Sequence, residues 1–175
     1  MIIKITICSW RFTFSMAPIT HIIGVNSILE DGNHIIMWDF DASDFWTVHD
    51  ELLKVQQVYK LPNVYITETS PKTGFHAWCF KKVDWHKLVE ILAFTKGIDY
   101  NYFKYGIYRG KFTLRVSSKC GRKIQPAKIL KSKEPEEIDI HELRDWVKYE
   151  TLADGRKSKK YELIIRRRET PEVLL

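Results

Sequence analysis

The tripeptide Asp39-Phe40-Asp41 closes an apolar run, Ile35-Ile36-Met37-Trp38. In an extended strand, residues two apart share a face, so the two carboxylates stand side by side. Like charges that close oppose joint ionisation unless a cation sits between them. Hard oxygen donors at this spacing suit Mg²⁺ or Mn²⁺. Asp99, after Ile98 in an apolar setting, offers a third carboxylate. Two cations held by three acids can activate an attacking oxygen and stabilise a leaving one in phosphoryl transfer. His76 lies between Phe75 and Ala77, just beyond Thr69-Ser70-Pro71-Lys72-Thr73-Gly74. That turn is rich in donors and carries one cation, a composition able to hold a triphosphate. Each feature also has a plain structural reading. Asp39 and Asp41 can be turn residues before Phe45, Asp99 a helix cap, and His76 a core ring.

Charge is unevenly spread. The chain of 175 residues carries a formal net charge of +6, with ten Lys or Arg and no acid between Lys104 and Lys133. From Arg156 to Arg168 there are seven basic residues against Glu162 alone. Ordinary surfaces mix the signs, so these runs point to a polyanion, most simply nucleic acid or nucleotide phosphate. Lys104, Arg109, Lys111, Arg122 and Lys123 are the candidates for strand contact. Arg115 and Ser117 would share a strand face, with Lys119 and Arg122 extending the cationic line.

The elements that must position these groups follow from periodicity. Residues 1 to 15 read as one or two strands, not a signal peptide, because Lys4 and Thr6 interrupt the apolar start. Met16 to Asp31 reads as irregular. Ile35 to Asp39 reads as a strand buried on both faces. Ser43 and Asp44 can cap a helix from Phe45 to Tyr59, with Val48, Leu52 and Val55 on its apolar stripe. Val64 to Ile66 and Phe75 to Phe80 form a hairpin, and Asp84 caps a second helix ended by Gly97. Ile98 to Arg109 is rich in aromatic residues. Phe112 to Val116 and Pro126 to Leu130 read as strands. Glu134 to Asp139 reads as a linker, Ile140 to Tyr149 as a helix, Asp154-Gly155 as a turn and Tyr161 to Arg168 as a late strand. The order implies an α+β fold, a mostly antiparallel sheet with helices packed on one face. The expected division is a core at 1–133 and a small C-terminal α/β extension at 134–175. Cys8, Cys79 and Cys120 are widely spaced without a CxxC pair, so zinc is not expected. No apolar run approaches the roughly 20 residues of a membrane helix, so no membrane partner is expected.

The ordered set of motifs resembles the archaeo-eukaryotic primase superfamily, including plasmid and phage primase-polymerases and the polymerase domains of bacterial end-joining ligases. Its first motif, an apolar strand ending in Asp-x-Asp, is matched by Met37-Trp38-Asp39-Phe40-Asp41. Its second, a Ser/Gly-rich turn ending in a small residue, any residue, then His, is matched by Gly74-Phe75-His76. Its third, an apolar residue then Asp, is matched by Ile98-Asp99. The stretch Leu114 to Arg122 is similar to the Arg-containing strand and Ser/Lys turn that often follow. The resemblance covers roughly residues 33 to 124 and implies an RRM-like palm. It implies that Asp39, Asp41 and Asp99 bind catalytic Mg²⁺ or Mn²⁺. It implies that His76 contacts nucleotide phosphates, with Ser70, Lys72, Arg115, Ser117 and Lys119 as further nucleotide contacts. The partners implied are a DNA template, nucleoside triphosphates and a separately encoded helicase. The implied setting is replication of a plasmid, virus or mobile element in the cytoplasm, or host cytoplasm.

Two other readings are open at this stage. A rolling-circle initiator of the HUH endonuclease type needs two histidines around one apolar residue and a nucleophilic tyrosine. Tyr108 and Lys111 have the Tyr-x-x-Lys spacing, but His76-Ala77-Trp78 lacks the second ligand. A non-catalytic nucleic-acid-binding protein would use the basic stretches and exposed aromatics alone.

Overall fold

A computed structural model describes residues 2–15, 19–119, 122–152 and 160–165. The chain forms two compact units, one of Met1–Thr20 with Glu150–Leu175 and one of His21–Tyr149. These units divide the chain elsewhere than at 133/134. Residues 134–149 belong with the larger unit, and the two ends of the chain belong together. The fold is α+β, with mostly antiparallel sheets and three α-helices among the described residues. No described helix is long and apolar enough to cross a membrane.

In the smaller unit, β1 (Ile2–Ile7) pairs antiparallel with β2 (Trp10–Ser15) and parallel with β10 (Lys160–Ile165). Residues 2 to 15 were expected as strands, and they are. The Asp154-Gly155 turn and the Arg166 to Arg168 end of the expected late strand lie outside the described residues.

Strand β3 (Ile19–Asn26), whose residues from His21 on belong to the larger unit, forms in a stretch expected to be irregular. This strand is the centre of a sheet ordered β7-β3-β9, where β7 is Thr113–Arg115 and β9 is Trp146–Leu152. Gly24 permits the close packing of the three strands. A Cβ there would meet Thr113 Cγ2 at 3.0 Å, the Leu114 carbonyl oxygen at 3.1 Å and Val147 Cγ1 at 3.1 Å. The helix expected over 140–149 is replaced by a single 3₁₀ turn at Ile140–Glu142, followed by β9.

The second sheet is ordered β4-β6-β5-β8, made of His34–Asp41, Gly74–Val83, Val64–Ser70 and Gln125–Leu130. The apolar run of β4 is buried as expected, with Ile35, Ile36, Met37 and Trp38 all inaccessible. Helix α1 (Phe45–Tyr59) starts at Asp44, whose carboxylate accepts from the Trp46 and Thr47 amides. It buries Val48, Leu52 and Val55, and Phe45 meets Phe75 of β6 with ring centroids 5.9 Å apart. Helix α2 (Trp85–Phe94) starts at Asp84 and ends at Thr95, two residues before Gly97. The Thr95 hydroxyl accepts from Trp38 Nε1 at 3.0 Å, tying α2 to the helix-side face of β4. Helix α3 (Tyr100–Arg109) occupies the aromatic-rich stretch. The Tyr102 hydroxyl donates to the Met37 carbonyl at 2.8 Å, and Phe112 packs against Tyr102, Phe103 and Trp85. Gly106 makes that packing possible, since a Cβ there would lie 2.1 Å from the Phe112 ring.

Candidate functional site

The pleat sorts the side chains of β4. Ile36, Trp38 and Phe40 take one face, and Met37, Asp39 and Asp41 take the other. Trp38 bonds to α2, so Asp39 and Asp41 occupy the face turned away from α1 and α2. Register completes that face. Asp39 pairs with His76 of β6, His76 pairs with Thr67 of β5, Asp41 pairs with Gly74, and Met37 pairs with Trp78. The first row of the face is therefore Asp41–Gly74, the second Asp39–His76–Thr67 and the third Met37–Trp78–Tyr65.

Backbone geometry fixes the end of β4. Ala42 takes a left-handed φ of 57° directly after Asp41. A residue with a Cβ adopts that region at a cost of about 1–2 kcal/mol. The bend is held by the Ser43 amide, which donates to the Thr73 carbonyl at 3.0 Å. Across the hairpin Gly74 is constrained, since a Cβ there would sit 2.9 Å from Thr69 Oγ1 and 3.0 Å from Ser70 Cβ.

Asp39 is the electrostatic centre. Its carboxyl is pushed up to about 7, first by burial, then by the Asp41 and Asp99 charges, against a downward pull from Arg115 and Lys119. These charges acting on Asp39 put the three expected acids, Arg115 and Lys119 in one neighbourhood. Asp99 arrives there because its amide donates to the Asp39 carbonyl at 2.8 Å. Its carboxylate is committed to helix α3, whose Tyr102 amide it accepts at 2.6 Å. Asp99 is thus both a helix cap and a neighbour of the acid pair.

His76 Nε2 lies 3.5 Å from Asp39 Oδ1. Burial, helped by the Arg115 charge, drives the imidazole down to about 3. The ring is therefore neutral beside Asp39. The ring is buried, and a backbone hydrogen bond at Arg115 partly opposes the downward shift.

The other expected contacts divide. Arg115 ends β7 and donates from Nη1 to the Ser117 carbonyl at 2.6 Å. Ser117 lies beyond the strand, and its hydroxyl accepts from the Ile23 amide at 2.8 Å, a structural use. Lys119 and Arg122 exchange backbone hydrogen bonds at 3.0 Å, and Cys120 and Gly121 lie outside the described residues. Ser70 Oγ accepts from Arg122 Nη1 at 2.8 Å. Arg122 and Lys123 line a small cleft with Ser70 and Pro71 at the hairpin tip. Lys72 is exposed at that tip, with a φ of 64°. Lys104 lies over the Tyr100 and Tyr105 rings at 5.9 and 5.8 Å, on the outer surface of α3 with Arg109 and Tyr108. Lys111 is taken up by Asp145, at 2.7 Å.

The donor chemistry at Asp39 and Asp41 fits a hard divalent cation. Both side chains carry carboxyl oxygens and both lie on one face, and Asp39 is raised by burial and then by the Asp41 and Asp99 charges, a penalty that a bound cation would relieve. Among the described residues, no three of His, Cys, Asp and Glu converge in a metal-holding arrangement. With Asp99 capping α3, the fit rests on Asp39 and Asp41.

Sequence reasoning missed Thr67, Tyr65 and Trp78. The signal for Trp78 was its i+2 spacing from His76, which puts both on one face. Comparison with protein-family models, with curated proteins and with solved structures finds no match.

Proposed function

We propose that this chain is a metal-dependent nucleotidyltransferase of the primase-polymerase kind, with the β4-β6-β5-β8 sheet as an RRM-like palm. The observation that carries the reading is the Asp39–Asp41 pair on one sheet face, turned away from α1 and α2. His76 adjoins it, Asp99 presses on it electrostatically, and Arg115 and Lys119 lie within electrostatic reach.

A polyphosphate brings negative charge that these residues divide between them. Arg115 and Lys119 attract the anion. His76, a neutral imidazole beside Asp39, offers hydrogen bonding without adding charge. Asp39 and Asp41 repel phosphate unless a cation intervenes, so they are the residues that would hold Mg²⁺ or Mn²⁺. Such a cation supplies charge neutralisation at the transferring phosphoryl group and lowers the pKa of an attacking hydroxyl. The basic stretch with the Tyr100, Tyr105 and Tyr108 rings of α3 supplies a surface for a single strand, through charge and stacking.

The test is strand synthesis from nucleoside triphosphates with Mn²⁺ or Mg²⁺, on primed and unprimed single-stranded DNA, read on a denaturing gel. Wild type extends or initiates strands, while Asp39→Asn and Asp41→Asn bind DNA normally and make none. Full synthesis by the doubly substituted protein would discard the proposal. A covalent DNA adduct on Tyr108 would replace it with nicking chemistry.

A further inference from the structure

A cavity of about 520 Å³ opens on the same sheet face as the acid pair. Tyr65, Thr67, Trp78 and Phe80 line it from β5 and β6. Ile138, Ile140 and Leu143 around the 3₁₀ turn, with Trp146, supply further wall, and Arg115 and Val116 the side. Its size lies in the range of small-molecule sites, about 300–1,000 Å³. Its lining is mostly apolar and aromatic, with a few polar groups. Glu136 at the wall accepts from the Tyr65 hydroxyl at 2.5 Å and the Asn63 amide at 3.1 Å.

The cavity borders the charged site at two residues. Thr67 is in the row of Asp39 and His76 and also lines the cavity. Arg115 lines the cavity and exerts its charge on both Asp39 and His76. Along β6, Trp78 stands two residues from His76, about 6.7 Å on the same face. The face therefore grades from Asp39, Asp41 and cations at one end to aromatic rings, edged by Glu136 and Asp139, at the other, over the length of one small molecule. A ligand matching both ends is flat and apolar at one end and polyanionic at the other.

We propose that this cavity receives the base and sugar of a free nucleoside triphosphate, with the base against Trp78 and the phosphates directed past Arg115 toward Asp39 and His76. This rests on the nucleotidyltransferase reading and adds to it the place where the nucleotide is recognised. Trp78 is the main contact, because its ring belongs to the cavity while its backbone pairs with Met37 and Tyr65 on either side. Glu136 and Thr67 supply polar groups for the sugar. An aromatic surface is tolerant of base identity, since every base has a π-face. The cavity therefore holds all four bases with similar affinity.

The experiment compares binding of dATP and of inorganic tripolyphosphate, at fixed Mn²⁺, to wild type, Trp78→Leu and Val116→Trp. The second variant fills the cavity from a partly exposed position without emptying the sheet, so it serves if Trp78→Leu fails to fold. Wild type binds dATP more tightly than tripolyphosphate. Each variant weakens dATP by about tenfold or more, the loss of one base–aromatic stack, and leaves tripolyphosphate unchanged. In parallel, 5-iodo-dUTP is photocrosslinked to wild type, and the label is expected on Tyr65 or Trp78. Equal loss of both ligands would make Trp78 a structural support and overturn the proposal. Unchanged dATP affinity in folded variants that still synthesise strands would overturn it while leaving nucleotidyl transfer intact. Crosslinking by iodouracil within an oligonucleotide, and not by the free nucleotide, would overturn it in favour of a strand-reading cavity. Absence of wild-type affinity for dATP would discard both readings.

Discussion

Asp39→Asn makes the protein more stable at pH 8, because it removes a charge that the fold holds at a cost. The carboxyl rises from 3.8 to about 7 on folding. Between those values the folded state keeps a proton that the unfolded chain has lost, so stability falls as pH rises. The full difference corresponds to about 4 kcal/mol at about 1.4 kcal/mol per pH unit. The side chain is 23% exposed, and solvent screening brings the expected gain nearer about 2 kcal/mol. For a chain of this length that is about 4–8 °C in Tm. His76 works in the opposite direction. Its value falls from 6.5 to about 3, so its contribution is complete above 6.5 and is lost as pH drops toward 3. In wild type the Asp39 slope opposes those of His76 and of His34, which burial also lowers, between about pH 4 and 6.5. In Asp39→Asn the histidine slopes are unopposed by Asp39, and stability climbs more steeply with pH through that window than in wild type. The assay is thermal and urea unfolding from pH 4 to 9 in EDTA, repeated with Mn²⁺. Added Mn²⁺ at pH 8 raises the Tm of wild type and leaves that of Asp39→Asn unchanged. A variant no more stable than wild type at pH 8, or equally stabilised at pH 4, would refute the reasoning.

Other residues give sharper structural tests. Gly106→Ala drives a methyl into the Phe112 ring, only 2.1 Å away, and costs about 1–3 kcal/mol by urea denaturation. Trp38→Phe deletes the Nε1 hydrogen bond to Thr95 at 3.0 Å and costs about 1–2 kcal/mol, while the Thr95 bond to the Ile91 carbonyl persists. Lys104→Ala and Lys123→Ala each reduce the salt dependence of single-stranded DNA binding by about 0.7 in log–log slope, one phosphate contact apiece. Lys111→Ala leaves that slope unchanged, because its ammonium belongs to Asp145.

The parts legible in the sequence were those set by local rules. The β4 run, the Asp44 and Asp84 caps, the α1 stripe and the β5–β6 hairpin follow from periodicity and capping, and they formed where expected. The misreadings share a cause. Ile140, Leu143 and Val147 are spaced like a helix, and Asp139 with Glu142 makes a capping box. That local signal yields only a 3₁₀ turn, because Trp146–Leu152 is claimed by pairing beside β3. The β3 segment reads as irregular because Gly24 interrupts it, yet that glycine is what lets three strands pack closely. Parallel pairing of β1 with β10 joins the two ends of the chain, which no local pattern announces.

The candidate site divides the same way. Asp39 and Asp41 share a face by strand periodicity, a local rule. That His76 lies opposite Asp39, and Thr67 opposite His76, depends on register between strands, which a single-residue slip would undo. Asp99 illustrates both readings at once. The helix-cap role was legible from its position, and its approach to Asp39 comes from a tertiary backbone hydrogen bond.

The central claim is that Asp39 and Asp41 together hold the cation of a nucleotide-processing site. Anomalous diffraction from crystals grown with Mn²⁺ and a non-hydrolysable nucleoside triphosphate tests it directly. The account predicts a manganese peak bridging the two carboxylates and the nucleotide's phosphates, beside His76. Saturating Mn²⁺ with no peak there, or a peak on other residues, would contradict it.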